Sequence, residues 1–137
     1  MKKIIVFAVM IATTLAFTLT TSAKGDKTFS GKLVDSKCYS MMPKMNASND
    51  HMVKGMDGKP MKVKACATAC ASMGIPVGIL TEEGKMLILA VPAGQLSQQM
   101  AKNARIQGEV LHGVLIVNKL EVQNGKKWEE VKISYMM

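Results

Sequence analysis

Cysteine and methionine supply the soft donor atoms of this chain, and they gather in its middle third. Cys66 and Cys70 stand four residues apart, so on a helix they share one face, and Met73 follows one turn later on the same stripe. Thiolate and thioether donors together select Cu(I), whereas pure thiolate sets suit zinc. Cys38, at the end of an expected strand, offers a third thiolate, and His51 or a nearby methionine completes a ligand set. The candidate metal ligands are therefore Cys38, His51, Cys66, Cys70 and Met73, with Cu(I) or zinc as the expected ion. Cys66 would sit near a helix N-terminus beside Lys62 and Lys64, an arrangement expected to lower a thiol pKa. Two plainer readings remain open at this stage. Cys and Met also serve as ordinary core residues. Alternatively, one disulfide, Cys38 to Cys66 or Cys38 to Cys70, closes a loop worth roughly 3–4 kcal/mol and leaves one cysteine unpaired.

Other chemistry finds little to work with. The cysteine pair is not Cys-x-x-Cys, and no Cys-x-x-Cys-His, Gly-x-Ser-x-Gly, His-Glu-x-x-His or phosphate loop occurs. The carboxylate pairs Glu82-Glu83 and Glu129-Glu130 fall at turn or edge positions, where charge is solvated. His112 precedes Gly113 in a turn. The expectation is a binding protein rather than an enzyme, one that binds a soft metal, copper first, or acts through thiol redox at its Cys/Met site. From another class, the alternative is a structural or interaction module with a plain disulfide and no metal.

The N-terminus reads as a secretory leader, with Lys2 and Lys3, an uncharged apolar run over residues 4–16, and small residues Thr21 and Ala23 before a cleavage point. Cleavage after Ala23 leaves one domain's length of chain, 114 of the 137 residues, exported to the periplasm or beyond. The apolar run is short for a spanning helix, so the mature protein is not expected to cross a membrane. Export also bears on the thiols, because free cysteines seldom persist unpaired in an oxidising compartment. The chain has 18 basic and 10 acidic residues, a net charge of +8. Setting aside Lys2 and Lys3 leaves +6. That balance favours acidic partners, but nucleic acid is not expected in an exported chain with so few aromatic stacking platforms. An envelope protein is the expected kind of partner.

The elements that must position the donors follow from periodicity. Residues 28–35 alternate as a strand, with Phe29, Gly31 and Leu33 on one face. Residues 36–61 read as a long loop broken by Pro43, Gly55, Gly58 and Pro60, and Met41, Met42, Met45, Met52, Met56 and Met61 crowd into it. An alanine-rich helix is expected over 62–73, stopped by Gly74 and Pro76. Strands follow over 76–80 and 86–91, a second helix over 93–104, then strands over 105–111, 114–122 and 128–135. Asn124-Gly125 is the strongest hairpin signal, expected as a type I′ turn with positive φ at both residues. Strand, helix, two strands, helix and further strands suggest a mainly β, OB-like antiparallel barrel. One helix is inserted after its first strand and one precedes the C-terminal strands.

The string Gly31-Lys32-Leu33-Val34-Asp35-Ser36-Lys37-Cys38, then Cys66-Ala67-Thr68-Ala69-Cys70 and Gly74-Ile75-Pro76-Val77-Gly78-Ile79-Leu80, resembles a set of small exported bacterial proteins. They share Gly-x-Val-x-Asp-x-x-Cys, Cys-Ala-x-x-Cys and Gly-x-Pro-x-Gly-Leu-Leu. The resemblance spans most of the mature chain and implies a three-cysteine pattern, though no particular reaction. In that set a histidine often stands a few residues before the second cysteine, while here His51 lies further upstream. In architecture alone the chain is also similar to OB-like periplasmic copper chaperones, which bind Cu(I) through Met and His beside a Trp. Trp128 is available here, and no ligand of those chaperones is carried over to a residue of this chain.

Overall fold

A computed structural model describes residues 26–135; the expected leader, residues 1–23, lies outside them. Among the described residues eight strands form, and five of them close a ring. β1 (Lys27–Asp35) pairs antiparallel with β4 (Val77–Thr81) through its second half and with β6 (Asn103–Leu111) through its first. β4 pairs with β5 (Met86–Leu89), β6 with β7 (Val114–Asn124), and β5 meets β7 in parallel to complete the circuit. This is the mainly β, small barrel-like fold expected, with one parallel seam. Two glycines let it curve. A Cβ on Gly31 would lie 2.1 Å from the Leu80 carbonyl oxygen, and one on Gly108, at a bulge in the β6–β7 ladder, 1.9 Å from that of Ile116. No larger residue fits where strands approach this closely.

Inward-facing residues fill the barrel: Ala104 and Ile106 alternate on β6, and on β7 Leu115 and Val117 alternate up to the bulge and Leu120 and Val122 beyond it. A 3-10 helix over Ala93–Gln99 plugs one end with Leu96. This is the second expected helix, shorter than foreseen, because β6 already begins at Asn103. The final strand starts as expected but ends sooner, β8 running over Lys127–Glu130. Residues 131–135 alternate as a strand would but join no ladder. They are tied to the 3-10 helix by Gln95, which donates to the Ser134 carbonyl at 2.7 Å and accepts from its N–H at 2.8 Å.

The segment between β1 and β4 departs most from expectation. Its supposed loop holds α1 (Ser36–Met41) and a two-stranded ribbon, β2 (His51–Lys54) with β3 (Pro60–Val63). α2 spans Cys66–Ser72, not 62–73, because Lys62 and Val63 belong to β3 and Ala65 takes a left-handed φ of 50°. Among the described residues, no helix is long and apolar enough to cross a membrane.

Candidate metal centre

The last residue of β1 begins the site. Asp35 is 1% exposed, and its Oδ1 caps α1 by accepting the N–H groups of Lys37 at 2.8 Å and Cys38 at 3.4 Å. One carboxylate oxygen is spent on the helix cap and fixes where Cys38 stands. The other, Oδ2, is buried without a hydrogen bond.

From α1 the chain loops to β2 through Asn46, which is also buried. Its amide donates to the carbonyls of Cys38 and Met52 at 3.0 and 3.2 Å and accepts the Met52 N–H at 2.8 Å. Those three bonds hold the loop next to the start of β2, where His51 is completely buried. The imidazole Nε2 lies 2.9 Å from the Ser48 carbonyl oxygen. A carbonyl only accepts, so Nε2 carries the proton, and in the neutral ring Nδ1 presents its lone pair. Nδ1 is buried and has no hydrogen-bond partner. It faces Asp35 Oδ2 at 4.0 Å, too far for a hydrogen bond.

α2 delivers the other two sulfurs. Its start has no side-chain cap of its own. Instead Asn49 accepts from the Thr68 N–H and hydroxyl, each at 3.0 Å, the Asn49 carbonyl takes the Ala67 N–H, and Asp50 accepts the Ala65 N–H at 3.0 Å. Residues flanking His51 thus orient the helix that carries Cys66 and Cys70. Ala67 and Ala71 are the α2 side chains that enter the barrel core, while both cysteines are half-buried outside it. Their face is turned to the site.

The result is a cluster. A sulfur of Cys38, a ring nitrogen of His51 and the sulfur of Cys66 all lie within 4.8 Å of one another; so do a carboxylate oxygen of Asp35 and the sulfurs of Cys38 and Cys70. Cys38 is common to both groups. All three cysteines are free thiols. Met73, the C-cap residue of α2, is 73% exposed. Asp35 was missed from the sequence, although an Asp two residues ahead of Lys37 and three ahead of Cys38 is a recognisable helix-cap signal.

The thiols do not behave as foreseen. Burial pushes the Cys38 thiol up to about 11, and the Asp35 carboxylate adds to the effect. Cys70 is likewise pushed up to about 11, by burial first and then by Asp35. Cys66 was expected to be lowered by Lys62, Lys64 and the helix start. It is raised, by burial and by Cys70 beside it. Lys62 is instead engaged with Asp50 at 3.2 Å. A seven-residue helix gives little dipole to oppose the loss of solvent. Two other sequence candidates stand apart: His112 sits exposed in a hairpin turn at φ 50°, and Glu82 and Glu83 are exposed in a turn. No family model matches this chain, and neither a curated protein nor a solved structure matches it.

Proposed function

We propose that this is an exported binding protein that holds a d10 metal ion through Cys38, Cys66, Cys70 and His51, with Zn(II) ahead of Cu(I). The observation that carries this reading is His51 Nδ1. The ring is fully buried and fixed by an Nε2–H bond to a backbone carbonyl, Nδ1 makes no hydrogen bond, and one ring nitrogen lies within 4.8 Å of the Cys38 and Cys66 sulfurs. Metal-bound histidines are held in this way, the second nitrogen donating to a carbonyl or carboxylate. Three thiolates and an imidazole form one of the standard structural zinc sets. Tetrahedral ligands with Zn–S near 2.3 Å stand about 3.8 Å apart. The donors of Cys38, His51 and Cys66 already lie within 4.8 Å of one another and Cys70 within 4.8 Å of Cys38, so side-chain rotation would have to bring Cys70 in as the fourth ligand. Export rests on the leader residues Lys2 to Ala23, and the protein would work in the periplasm or beyond the cell.

A disulfide from Cys38 to either neighbour is the competing reading, favoured by the closeness of the sulfurs. It gives His51 Nδ1 no partner, whereas a metal does. Titration of reduced protein against a chromophoric chelator separates the two. One equivalent of Zn(II) should bind and release the thiol protons, because the ligands must be thiolates. His51→Ala should weaken binding at least about tenfold, a loss no smaller than that caused by removing a ligand's supporting hydrogen bond. Cys66→Ser or Cys70→Ser should abolish tight binding. If neither Zn(II) nor Cu(I) competes with the chelator, the metal reading is wrong.

A further inference from the structure

The outer face of the barrel, on β1, β6, β7 and β8, carries a second constellation, separate from the cysteines. Arg105 is the only arginine in a chain that otherwise uses lysine, and Trp128 is the only tryptophan. The guanidinium carbon of Arg105 lies 3.9 Å from the centre of the Trp128 ring. The strand registers explain the meeting. Lys32 opposes Asn103 and Gln123 opposes Trp128, while Ser30 and Glu121 both oppose Arg105, so these side chains share the outward face. Trp128 reaches Arg105 diagonally across β7.

Arg105 is left without an acid. Its cross-strand neighbour Glu121 binds Lys119 at 2.9 Å, and Glu130 lies 4.0 Å from the same ammonium. Among the described residues, the Arg105 guanidinium, the Lys32 ammonium and the Trp128 indole N–H make no hydrogen bond or ion pair. All three residues line one open cavity of about 410 Å³, with Asn103, Gln123 and Thr81 around them. That volume is within the range of small-molecule sites. Its only acidic side chain, Glu82, is exposed in the β4–β5 turn.

The geometry points to a binding site for a small solute bearing a phosphate or carboxylate, its oxyanion held by Arg105 and Lys32 beside the Trp128 indole. A guanidinium pinned flat on an aromatic ring still offers its edge N–H groups in the fork that oxyanions match. Stacking also removes part of the entropy cost of fixing that side chain. The indole N–H adds a donor, and Asn103 and Gln123, bonded to each other at 3.0 Å, keep further polar capacity at the wall.

Trp128, as the sole tryptophan, reports directly by fluorescence. Inorganic phosphate, a hexose phosphate, a hexuronate and neutral glucose would be titrated into the full mature protein. Saturable changes are expected with the charged probes and none with glucose, the affinity falling as ionic strength rises. Response to the phosphates alone would assign a phosphate ligand, and response to the uronate alone a carboxylate. Arg105→Gln should weaken binding at least about tenfold, the loss of a charge-assisted pair. Lys32→Gln leaves the Arg105–Trp128 stack in place and should weaken binding severalfold without shifting the unliganded spectrum. Cys66→Ser should leave binding unchanged, which keeps this site distinct from the metal reading. No saturable response up to about 10 mM of any charged probe, or an equal response in Arg105→Gln and Lys32→Gln, would overturn the proposal.

Discussion

Asp35 divides its two oxygens between two tasks, and each can be removed separately. Asn at this position keeps the cap acceptor and takes away the charge beside Cys38 and Cys70. In metal-free Asp35→Asn the thiols should therefore ionise at lower pH and react faster with iodoacetamide at a fixed mildly alkaline pH. Asp35→Ala should add the loss of the cap, about 1 kcal/mol of stability. The raised thiols also make a stability prediction. In the fold, Cys38 and Cys70 keep their protons to about 11, against the ordinary 9.0 of the unfolded chain. Between those values the unfolded state binds fewer protons, so stability falls as pH rises from about 9 toward 11 and is complete below that window. Urea midpoints of reduced, metal-free protein should decline across it, and less so in Cys38→Ser/Cys70→Ser. A parallel decline in both proteins would leave the thiols no part in it. The sequence was enough to nominate Cys38, Cys66, Cys70 and His51, because cysteine is conspicuous and helical spacing is local. It could not say which His51 nitrogen faces inward, since that depends on the Ser48 carbonyl folding back under the ring.

The loop that reaches His51 also starts α2, which makes Asn49 the hinge between ribbon and helix. Asn49→Ala strips the acceptor from both Thr68 donors. It should cost about 1 kcal/mol in thermal unfolding and weaken metal binding, although Asn49 is not itself among the candidate ligands. Ala65→Gly should act in the opposite direction, because an L-residue at φ 50° carries a left-handed penalty of roughly 1 kcal/mol that glycine escapes. These features explain why the inserted segment read poorly. β2 and β3 are four residues each, β2 shows no apolar alternation, and β3, almost wholly exposed, alternates only through Met61 and Val63. Its cap comes from 19 residues upstream, beyond any local window. The barrel strands were legible because one face of each is buried. Turn chemistry was only partly so. Asn124 pairs with Lys127, which leaves Gly125 and Lys126 as the turn, and Gly125 alone has positive φ, the II′ pattern. The turn with positive φ at both residues is His112-Gly113. Gly125→Val should still cost about 1 kcal/mol or more in thermal unfolding, because φ remains 62°.

On the scale of the whole molecule, the barrel has a core and the inserted segment has little of one. Of the segment's buried side chains, Asn46 and His51 are polar, and Ala67 and Ala71 belong to the barrel's core. With a chelator present, amide exchange over residues 36–65 should be fast while β1, β6 and β7 stay protected, and Zn(II) should slow the first without altering the second. Uniform exchange across both parts would mean that the segment does not rely on a bound ion. Export is tested by the intact mass of the secreted form, which should begin at Lys24; a mass retaining residues 1–23 would argue for an anchor. The pairing of β1 with β4 has a kinetic consequence. The two strands are neighbours in space, yet roughly 40 residues separate the end of one from the start of the other. Closing that gap is an entropic step that must precede much of the ring, and the gap holds Cys38, His51, Cys66 and Cys70, every ligand of the proposed site. An ion gripping Cys38 together with Cys66 and Cys70 in the unfolded chain would bridge nearly the whole span and shorten the search. Refolding should then be faster when the ion is added before dilution from denaturant than when it is added afterwards, so the order of addition would set the rate at which the barrel closes.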